Sequence, residues 1–317
     1  MRYVITGAGQ IGAQLAHDLV RAGHQVTVVR RSAAKTDGPI RAIAADVLNV
    51  DAWSSAAEDA AAIFHCIHAP YDSRVWAREL PQREQAVLSI AEQHGIPVIF
   101  PESVYAFGEQ AKSLHEGAPL APVTPLGQVR ADLLRARAQH SAVTLSVVAS
   151  DLIGPTTGAG SVATATVLRP LAAGRRAWVF ANPDLPHSWT YTPDLAAAML
   201  QCADRATSLA PSGDAVLHCP TTAPRSLREL ASDAADLLGC RARVQSVPRP
   251  AMWAARWLHP LLRELDRQQY LWRQPSVLRP GRLMTTDGTE PTPWEAALRV
   301  SVDAVRSSQL PTRHPRE

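Results

Sequence analysis

Short apolar runs alternate with longer amphipathic segments along the first half of the chain. Six runs rich in β-branched residues lie at residues 3–5, 26–29, 42–44, 62–64, 97–100 and 144–148. Because these runs are almost continuously apolar, they are typical of parallel strands that helices cover on both faces. Helical periodicity predicts helices near residues 11–22, 51–59, 82–94 and 126–139. The alternation predicts an α/β fold with a doubly wound parallel sheet and right-handed crossovers.

The pattern changes in the second half of the chain. Gly, Pro and Thr are frequent in residues 151–192, which predicts loops and short elements. A helix near 193–204 and a strand at 215–219 should return to the sheet. Two helical patterns follow, one of which has Trp253 and Trp257 at helical spacing, and Pro293 suits the first turn of a last helix.

These patterns predict three parts of the chain. Residues 1–155, with returning elements at about 190–220, should form the sheet domain. Residues 156–189 and 221–292 should form a smaller, mostly helical substrate domain, and residues 293–317 a C-terminal helix and tail.

Composition narrows the class of protein. Of the 317 residues, 46% are hydrophobic, which excludes an intrinsically disordered chain. No apolar run approaches the roughly 18 to 20 residues of a membrane span. The four cysteines form no C-x-x-C pair, and a net charge of +3 is too small to indicate a nucleic-acid partner. We therefore expect a cytoplasmic protein in reduced form that acts on a small molecule, without nucleic acid or membrane.

A glycine-rich turn follows the first predicted strand. Residues 6–12 read Thr-Gly-Ala-Gly-Gln-Ile-Gly and open an amphipathic helix, so the G-x-G-x-x-G string has the context of a dinucleotide site. One glycine permits the tight turn, the second admits the pyrophosphate, and the third lets helix and strand pack closely. The predicted phosphate-binding residues are therefore Gly7, Gly9, Gln10, Ile11 and Gly12. A turn without a ligand is the alternative.

Residues at the end of the second predicted strand indicate whether the cofactor is NAD or NADP. NAD sites place an acidic residue about 20 residues after the glycines, to bind the ribose 2′-hydroxyl. This chain has Arg30, Arg31 and Ser32 there, with Lys35 nearby. A guanidinium can bind a 2′-phosphate through two hydrogen bonds, so NADP is favoured over NAD. A solvated strand end with two arginines is the alternative.

Later strand ends supply further candidates for the cofactor site. Asp46 can accept a hydrogen bond from the adenine amino group while Val47 packs on the ring, although Asp46 is nearly as well explained as a turn residue. The carboxyl ends of open parallel sheets line the ligand crevice, which adds Ile67, His68, Ala69 and Ser103. No third ligand of matching type accompanies His65 and His68, so no metal site is predicted.

Together these motifs resemble the extended and atypical short-chain dehydrogenases/reductases, in the NAD-dependent epimerase/dehydratase-like group. The resemblance covers nearly the whole chain. It also includes Ser103-Val104-Tyr105 followed by Gly108, and residues 150–155, 183–194 and 291–293. It implies a Rossmann fold that binds a nicotinamide dinucleotide. Relatives pair through the helices corresponding to 82–94 and 126–139, so a homodimer is one assembly to expect.

The main departure from this family is catalytic. The family moves a proton with the tyrosine of a Tyr-x-x-x-Lys motif, whose lysine lowers the tyrosine pKa and holds the ribose. The matching segment is residues 124–130, in which Leu126 stands at the tyrosine position and Arg130 at the lysine position. Pro101 stands at the family's serine position. Leucine cannot carry a proton, so the usual mechanism is not available to this chain.

Three substitutes for the missing tyrosine remain open. Tyr105 can donate a proton if Arg130 supplies the cation that lowers its pKa, or it can be a core residue whose hydroxyl is satisfied. Arg130 can instead anchor the ribose and phosphate of the cofactor. His187 lies with Trp189 and Tyr191 in a segment that relatives fold over the substrate, or it is a loop histidine bonded to backbone. His68 with Tyr71, at the end of the fourth predicted strand, is the third candidate, or these two residues belong to a loop that lines the cofactor.

The leading hypothesis is an NADP(H)-dependent oxidoreductase of the atypical type, acting on a small organic carbonyl, alcohol or enone. The alternatives are an epimerase or dehydratase without net cofactor turnover and a non-enzymatic NADPH-binding sensor. The candidate catalytic residues are Tyr105, Arg130 and His187, and the candidate substrate-binding residues are Tyr71, Trp189 and Tyr191.

Overall fold

The structure is a computed structural model that describes residues 1–32, 39–248 and 260–309. The predicted segment around Trp253 and Trp257, Lys35 and the tail from residue 310 lie outside these ranges. The strands are β1 (Arg2–Thr6), β2 (Gln25–Arg30), β3 (Ile40–Ala44), β4 (Ala62–His65), β5 (Val98–Ser103), β6 (Thr144–Ala149), β7 (Asp151–Ile153), β8 (Ala177–Val179), β9 (Trp189–Tyr191), β10 (Asp214–His218) and β11 (Val244–Ser246).

Seven of these strands form one sheet in the order β10-β6-β5-β4-β1-β2-β3. Every neighbouring pair is parallel, with Tyr3 opposite Val26 on one side and opposite Ala62 on the other. Two small parallel pairs, β7 with β9 and β8 with β11, lie outside this sheet. The predicted α/β parallel sheet is confirmed, and the predicted strand at 215–219 is β10.

The α-helices follow the strands in the manner of crossover connections. They are α1 (Gln10–Arg21), α2 (Ser73–His94), α3 (Pro125–Ala138), α4 (Arg169–Ala172), α5 (Thr192–Asp204), α6 (Ala206–Leu209), α7 (Leu227–Leu238), α8 (Pro260–Arg267), α9 (Tyr270–Arg273), α10 (Arg282–Thr285) and α11 (Trp294–Gln309). No helix of the described ranges has both the length and the apolar character needed to cross a bilayer.

Both faces of the sheet are covered. One apolar cluster joins Tyr3, Ile5 and Phe64 of the strands to Leu15 of α1 and Met199 of α5. A second cluster on the other face joins strand residues such as Val4 and Phe100 to Val87 and Ile90 of α2. This burial on both faces explains why the strands are almost continuously apolar in sequence.

Helix α2 begins nine residues before the predicted start at 82. The Asp72 side chain caps it by accepting hydrogen bonds from the backbone N–H groups of Arg74 and Val75. Pro81 lies inside the helix, where proline ordinarily ends or kinks it. The turns before Pro81 bury Trp76 and Leu80, so tertiary packing stabilises a segment that local sequence disfavours.

The predicted helix at 51–59 is wrong. The chain forms two short 3₁₀ turns, Val50–Ala52 and Ser54–Ala56. Between them the Trp53 side chain is fully buried, and its indole N–H donates to the Val47 carbonyl at 3.0 Å. Closing the chain around this one side chain requires tighter turns than an α-helix makes.

A separate apolar cluster lies among the elements outside the main sheet. It contains Val167, Leu171 and Trp189 together with Leu230 of α7 and Leu298 of α11. The last helix therefore packs with the segments predicted as the substrate domain, since α11 and α7 contribute to one core.

Candidate active site

Two adjoining cavities lie at the carboxyl edge of the sheet. The larger, of about 440 Å³ and here called the cleft, is lined by residues that include His68, Tyr71, Ser103, Tyr105, Arg130 and Asp151. The other, of about 430 Å³, is lined by residues that include Gly7, Arg30, Arg31, Ser32, Asp46 and Val47. Gly9 and residues 66–68 line both. A single extended ligand can therefore occupy both cavities.

The glycine turn between β1 and α1 has the geometry that its sequence predicts. Gly7 has a φ of +94°, which favours glycine, and its N–H donates to the Val29 carbonyl at 2.9 Å. A Cβ on Gly12 would lie 2.0 Å from the Gly7 carbonyl oxygen, so helix and strand pack closely there. A Cβ on Gly9 would meet nothing within 4 Å, which leaves open space above the turn.

The N-terminus of α1 faces this open space without a side-chain cap. Its first N–H groups therefore have no side-chain acceptor, and they carry the positive end of the helix dipole. Gln10 and Ile11 line the neighbouring cleft. The turn can bind an anionic group such as a pyrophosphate.

The second cavity brings together the residues predicted to choose the cofactor. Arg30 donates from Nη2 to the Ser32 hydroxyl at 3.0 Å, and Arg31 and Ser32 are exposed. Asp46 accepts a hydrogen bond from the Leu48 N–H, which is the turn role considered for it, and it still lines the cavity. Sequence reasoning missed Arg83 of α2, which also lines this cavity and pairs with Glu79 at 2.7 Å.

Two tyrosine hydroxyls meet in the cleft. Tyr71 donates to the Tyr105 hydroxyl oxygen at 3.1 Å, and the Tyr105 ring is nearly parallel to that of Trp76, with centroids 6.4 Å apart. Leu126, at the start of α3, is fully buried in the same aromatic cluster. A Cβ on Gly127 would lie 2.5 Å from the Tyr105 carbonyl oxygen, so the helix start packs directly against Tyr105.

The tyrosine pair is protonated near neutral pH. Burial, together with the Asp151 charge, raises the pKa of Tyr105 to about 12, although the Tyr71 hydrogen bond and the Arg130 charge act in the opposite direction. Burial also raises the pKa of Tyr71 far above its usual value, and the neighbouring Tyr105 makes the next largest contribution. Both phenols can therefore donate protons, and neither is a base at physiological pH.

Arg130 and a buried ion network form the floor of the cleft. The Arg130 guanidinium carbon lies 4.8 Å from the centre of the Trp76 ring, and its Nε is 3.6 Å from Glu102 Oε1. Arg137 binds both Glu84 oxygens, at 2.8 and 2.6 Å, and Glu102 Oε2 at 2.9 Å. Glu102 Oε1 accepts from the Ser103 N–H at 2.8 Å. Both carboxylates thus bind Arg137 closely, whereas Glu102 alone contacts Arg130 among the described ion pairs, and at a longer distance.

Several buried polar atoms that line the cleft have no hydrogen-bond partner in the described structure. They are Gln10 Oε1, His65 Nε2, Trp76 Nε1, Arg130 Nε and Ser150 Oγ. An unpaired buried polar group costs roughly 1–3 kcal/mol. Such a concentration in one cavity indicates a site shaped for polar ligands.

The two histidines beside the cleft are neutral. His65 Nδ1 and Thr6 Oγ1 share a hydrogen bond of 2.7 Å. Burial lowers the pKa of His65 to about 3, and the charge of Arg137 is the next largest cause. Burial likewise lowers the pKa of His68 to about 4, and its ring packs edge-on against Trp76. His68 and Ala69, which the sequence predicts as cofactor contacts, line the cleft.

The structure does not bring His187, Trp189 and Tyr191 into the cleft. His187 is buried behind it, stacked on Trp272 at 4.2 Å, and its Nε2 lies 2.6 Å from Asp151 Oδ2. Trp189 belongs to the separate apolar cluster, against which Tyr191 packs. His187 therefore contacts the cleft through Asp151, which lines it.

The residues that sequence reasoning missed differ in how visible they were. Glu102 interrupts an apolar strand, and Asp151 belongs to a segment that carried the family resemblance, so both had a local signal. Trp76, Glu84 and Arg137 lie on helices where nothing in the local sequence distinguishes them from other helical residues.

Comparison with known proteins identifies a family for this chain. The model of the NAD dependent epimerase/dehydratase family matches residues 3–216. A search of curated proteins finds no significant match.

Several solved structures share this fold. One is MoeE5 in complex with UDP-glucose and NAD, with 19% identity, a TM-score of 0.76, and coverage of 97% of this chain and 99% of that one. Another is a UDP-glucose 4-epimerase of Thermus thermophilus in complex with NAD, with 18% identity, a TM-score of 0.74 and coverage of 97% and 100%. A UDP-galactose 4-epimerase has 19% identity, a TM-score of 0.75 and coverage of 98% and 100%. At these identities the likeness shows a shared fold.

Proposed function

The chain belongs to the NAD-dependent epimerase/dehydratase family, and from this premise we propose that it is an NADP(H)-dependent oxidoreductase acting on a small organic carbonyl, alcohol or enone. The observation that carries the proposal is the Tyr105 hydroxyl, which accepts a hydrogen bond from Tyr71 inside the cleft that adjoins the cofactor cavity. This hydroxyl replaces the proton donor that Leu126 cannot supply.

The residues present fit a nicotinamide dinucleotide. The open space at Gly9 and the uncapped start of α1 suit the pyrophosphate, and the cavity at Arg30, Arg31 and Ser32 suits a 2′-phosphate. The solved structures of similar fold with bound NAD support the same placement of a dinucleotide. When bound, the cofactor supplies or accepts a hydride at C4 of its nicotinamide ring.

Tyr105 acts as the proton donor in the direction of reduction. Because Tyr71 donates to the Tyr105 oxygen, the Tyr105 proton is free to point toward a substrate oxygen. When that proton leaves, the Tyr71 hydrogen bond and the Arg130 charge stabilise the phenolate, since both act to lower the Tyr105 pKa. Reprotonation from solvent then returns Tyr105 to its resting form.

The size of the cleft favours a small substrate. Its volume of about 440 Å³ is near the lower end of the roughly 300–1,000 Å³ usual for ligand pockets. A compact molecule fits a cavity of this size.

The first experiment measures NADPH oxidation with a panel of small aldehydes, ketones and enones. Tyr105→Phe should lower kcat by about 100-fold or more, because general acid catalysis contributes roughly 10²–10⁴-fold. Tyr71→Phe should have a smaller effect. Tyr3→Phe is the matched control, because Tyr3 donates to Asp204 away from the cleft and its loss should leave kcat unchanged. Full activity in Tyr105→Phe overturns the proton-donor role.

The second experiment measures cofactor choice by equilibrium binding. Arg30→Ala should weaken NADPH binding by roughly 10-fold or more and change NADH binding little, because hydrogen bonds to charged groups contribute roughly 1.5–3 kcal/mol. Arg21→Ala, in the last turn of α1, is the control. An unchanged ratio of NADPH to NADH affinity contradicts the 2′-phosphate assignment.

A second candidate is epimerisation or dehydration without net cofactor turnover, and the family match together with the UDP-sugar epimerases of similar fold supports it. The same assays separate the two candidates. Product formation with no net change in NADPH absorbance favours the second, and stoichiometric NADPH consumption favours the first.

A further inference from the structure

Arg130 presents hydrogen-bond donors in the cleft that the protein does not use. Its side chain is only 10% exposed, yet it donates no hydrogen bond to any residue of the described ranges, and its Nε is both buried and unpaired. A guanidinium stays charged and carries five N–H donors. Burying such a cation without hydrogen-bonded partners is costly, so a ligand that supplies acceptors would bind favourably here.

The nearby carboxylates already serve Arg137. Glu84 gives both oxygens to Arg137, and Glu102 gives Oε2 to Arg137 and Oε1 to the Ser103 N–H. Arg130 therefore receives only a long contact of 3.6 Å from Glu102. This contact orients the Nε side of the guanidinium without satisfying it.

The Trp76 ring determines which side of Arg130 is available. The guanidinium carbon lies over the ring, 4.8 Å from its centre, so the ring occupies one side of the group. The N–H donors lie in the guanidinium plane and remain at its edge. A planar acceptor with two oxygens fits such an edge better than a single oxygen does.

We propose that the substrate of this cleft carries a carboxylate, which Arg130 binds through paired hydrogen bonds. The proposal rests on the function proposed above and names its substrate class: a small carbonyl or hydroxy acid. The phosphates of the cofactor have their own sites at the glycine turn and at Arg30. The nicotinamide ribose, which the family's lysine holds at this position, offers neutral hydroxyls that use only part of the five guanidinium donors. Asp151 lines the same cleft and repels an anion, whereas the Glu102 charge beside Arg130 is shared with Arg137. The carboxylate end is therefore directed toward Arg130.

The remaining walls fit the body of such an acid. Tyr71, Trp76, Phe100 and Tyr105 line the cleft with aromatic surface. An aryl or short alkyl group between the carboxylate and the reacting carbon would pack against them.

Binding of simple probes tests the carboxylate site without a known substrate. Benzoate and benzamide have the same shape and differ in charge, so their affinities for the NADP⁺-saturated protein are compared by calorimetry. Benzoate should bind roughly tenfold or more tightly than benzamide. Arg130→Met should abolish the difference, and Arg130→Lys should retain part of it. Arg135→Met is the control, because Arg135 lies on the same helix, is half exposed and pairs with Asp132.

Turnover of a second pair separates this proposal from the proposed reaction. 4-Formylbenzoate and its methyl ester offer the same aldehyde with and without a carboxylate. Preferential reduction of the acid by NADPH supports both proposals. Preference for benzoate with no turnover of either aldehyde keeps the carboxylate site and counts against the oxidoreductase.

Three results overturn the carboxylate site. They are no measurable benzoate binding, equal affinity for benzoate and benzamide in the unmodified protein, and a preference that survives in Arg130→Met. The first two need no variant, so they stand even if the substitution disturbs folding.

Discussion

The buried Arg137 network makes a strong prediction about stability. Arg137 is 1% exposed and donates four hydrogen bonds, two to Glu84, one to Glu102 and one to the Ser146 hydroxyl. Its guanidinium also lies 3.9 Å from the centre of the Phe100 ring. Arg137→Met keeps much of the apolar length of the side chain and removes the charge. Glu84 then has no cation among the described residues. Glu102 keeps its hydrogen bond from the Ser103 N–H, and the cation nearest to it is Arg130 at 3.6 Å.

The expected loss is large because the partners stay buried. Removing one member of a buried ion pair typically destabilises a protein by about 3–5 kcal/mol, since an uncompensated charge is left inside. At about 2 °C per kcal/mol for a large domain, the melting temperature should fall by about 6–10 °C. Arg135→Met is the matched control. It breaks an exposed pair with Asp132 and should cost less than about 1 kcal/mol.

Urea denaturation followed by circular dichroism measures both variants. The midpoint should shift for Arg137→Met while the slope of the transition stays constant. Glu84→Gln and the double variant complete a cycle whose coupling energy reports the Arg137–Glu84 interaction. A loss below about 1 kcal/mol for Arg137→Met, equal to that of the surface control, refutes the reasoning that this network is a tightly coupled buried unit.

Three further outcomes are expected. Burial lowers the pKa of His65 from 6.5 to about 3, so between these pH values the unfolded chain binds a proton that the folded chain does not. The free energy of unfolding should therefore fall as pH drops from about 6.5 to 3, by about 1.4 kcal/mol per pH unit from this group. If the stability of His65→Asn falls with pH in parallel with that of the unmodified protein, the prediction is wrong. Gly9→Ala should fold normally and bind NADPH weakly, because its Cβ would point into the open space proposed for the phosphate. Gly12→Ala should lower the melting temperature, because its Cβ would lie 2.0 Å from the Gly7 carbonyl oxygen. The reverse pattern in thermal melts and NADPH titrations would show that the turn does not bind phosphate. Because the pKa of Tyr105 is about 12, the reductive rate should not decline near pH 10 as it would for an ordinary phenol, and a pH–rate profile with a loss centred near pH 10 would argue against this donor.

The sheet and the glycine turn could be predicted from the sequence because both are encoded locally. A strand buried on both faces is apolar at nearly every position, so β1, β4 and β6 are visible without knowledge of their neighbours. The turn at Gly7 requires a positive φ, and the contact at Gly12 excludes a Cβ, so the glycine spacing itself carries the constraint.

Elements that depend on distant partners were predicted less well. The segment around Trp53 has helical composition, and its tight turns follow from burying one indole against the Val47 carbonyl. The early start of α2 needs the Asp72 cap and the burial of Trp76, which outweigh the effect of Pro81.

By itself, then, the sequence determined the parallel sheet, the glycine turn and the arginines near it, because each depends on residues close along the chain. Only the tertiary structure decided the chemistry of the cleft. Tyr71 and Tyr105 are 34 positions apart and Arg137 is 53 from Glu84, and a hydrogen bond between such residues has no local pattern. The same folding buried His187 behind Asp151 and left Arg130 with unused donors, since burial and pairing are properties of the assembled chain.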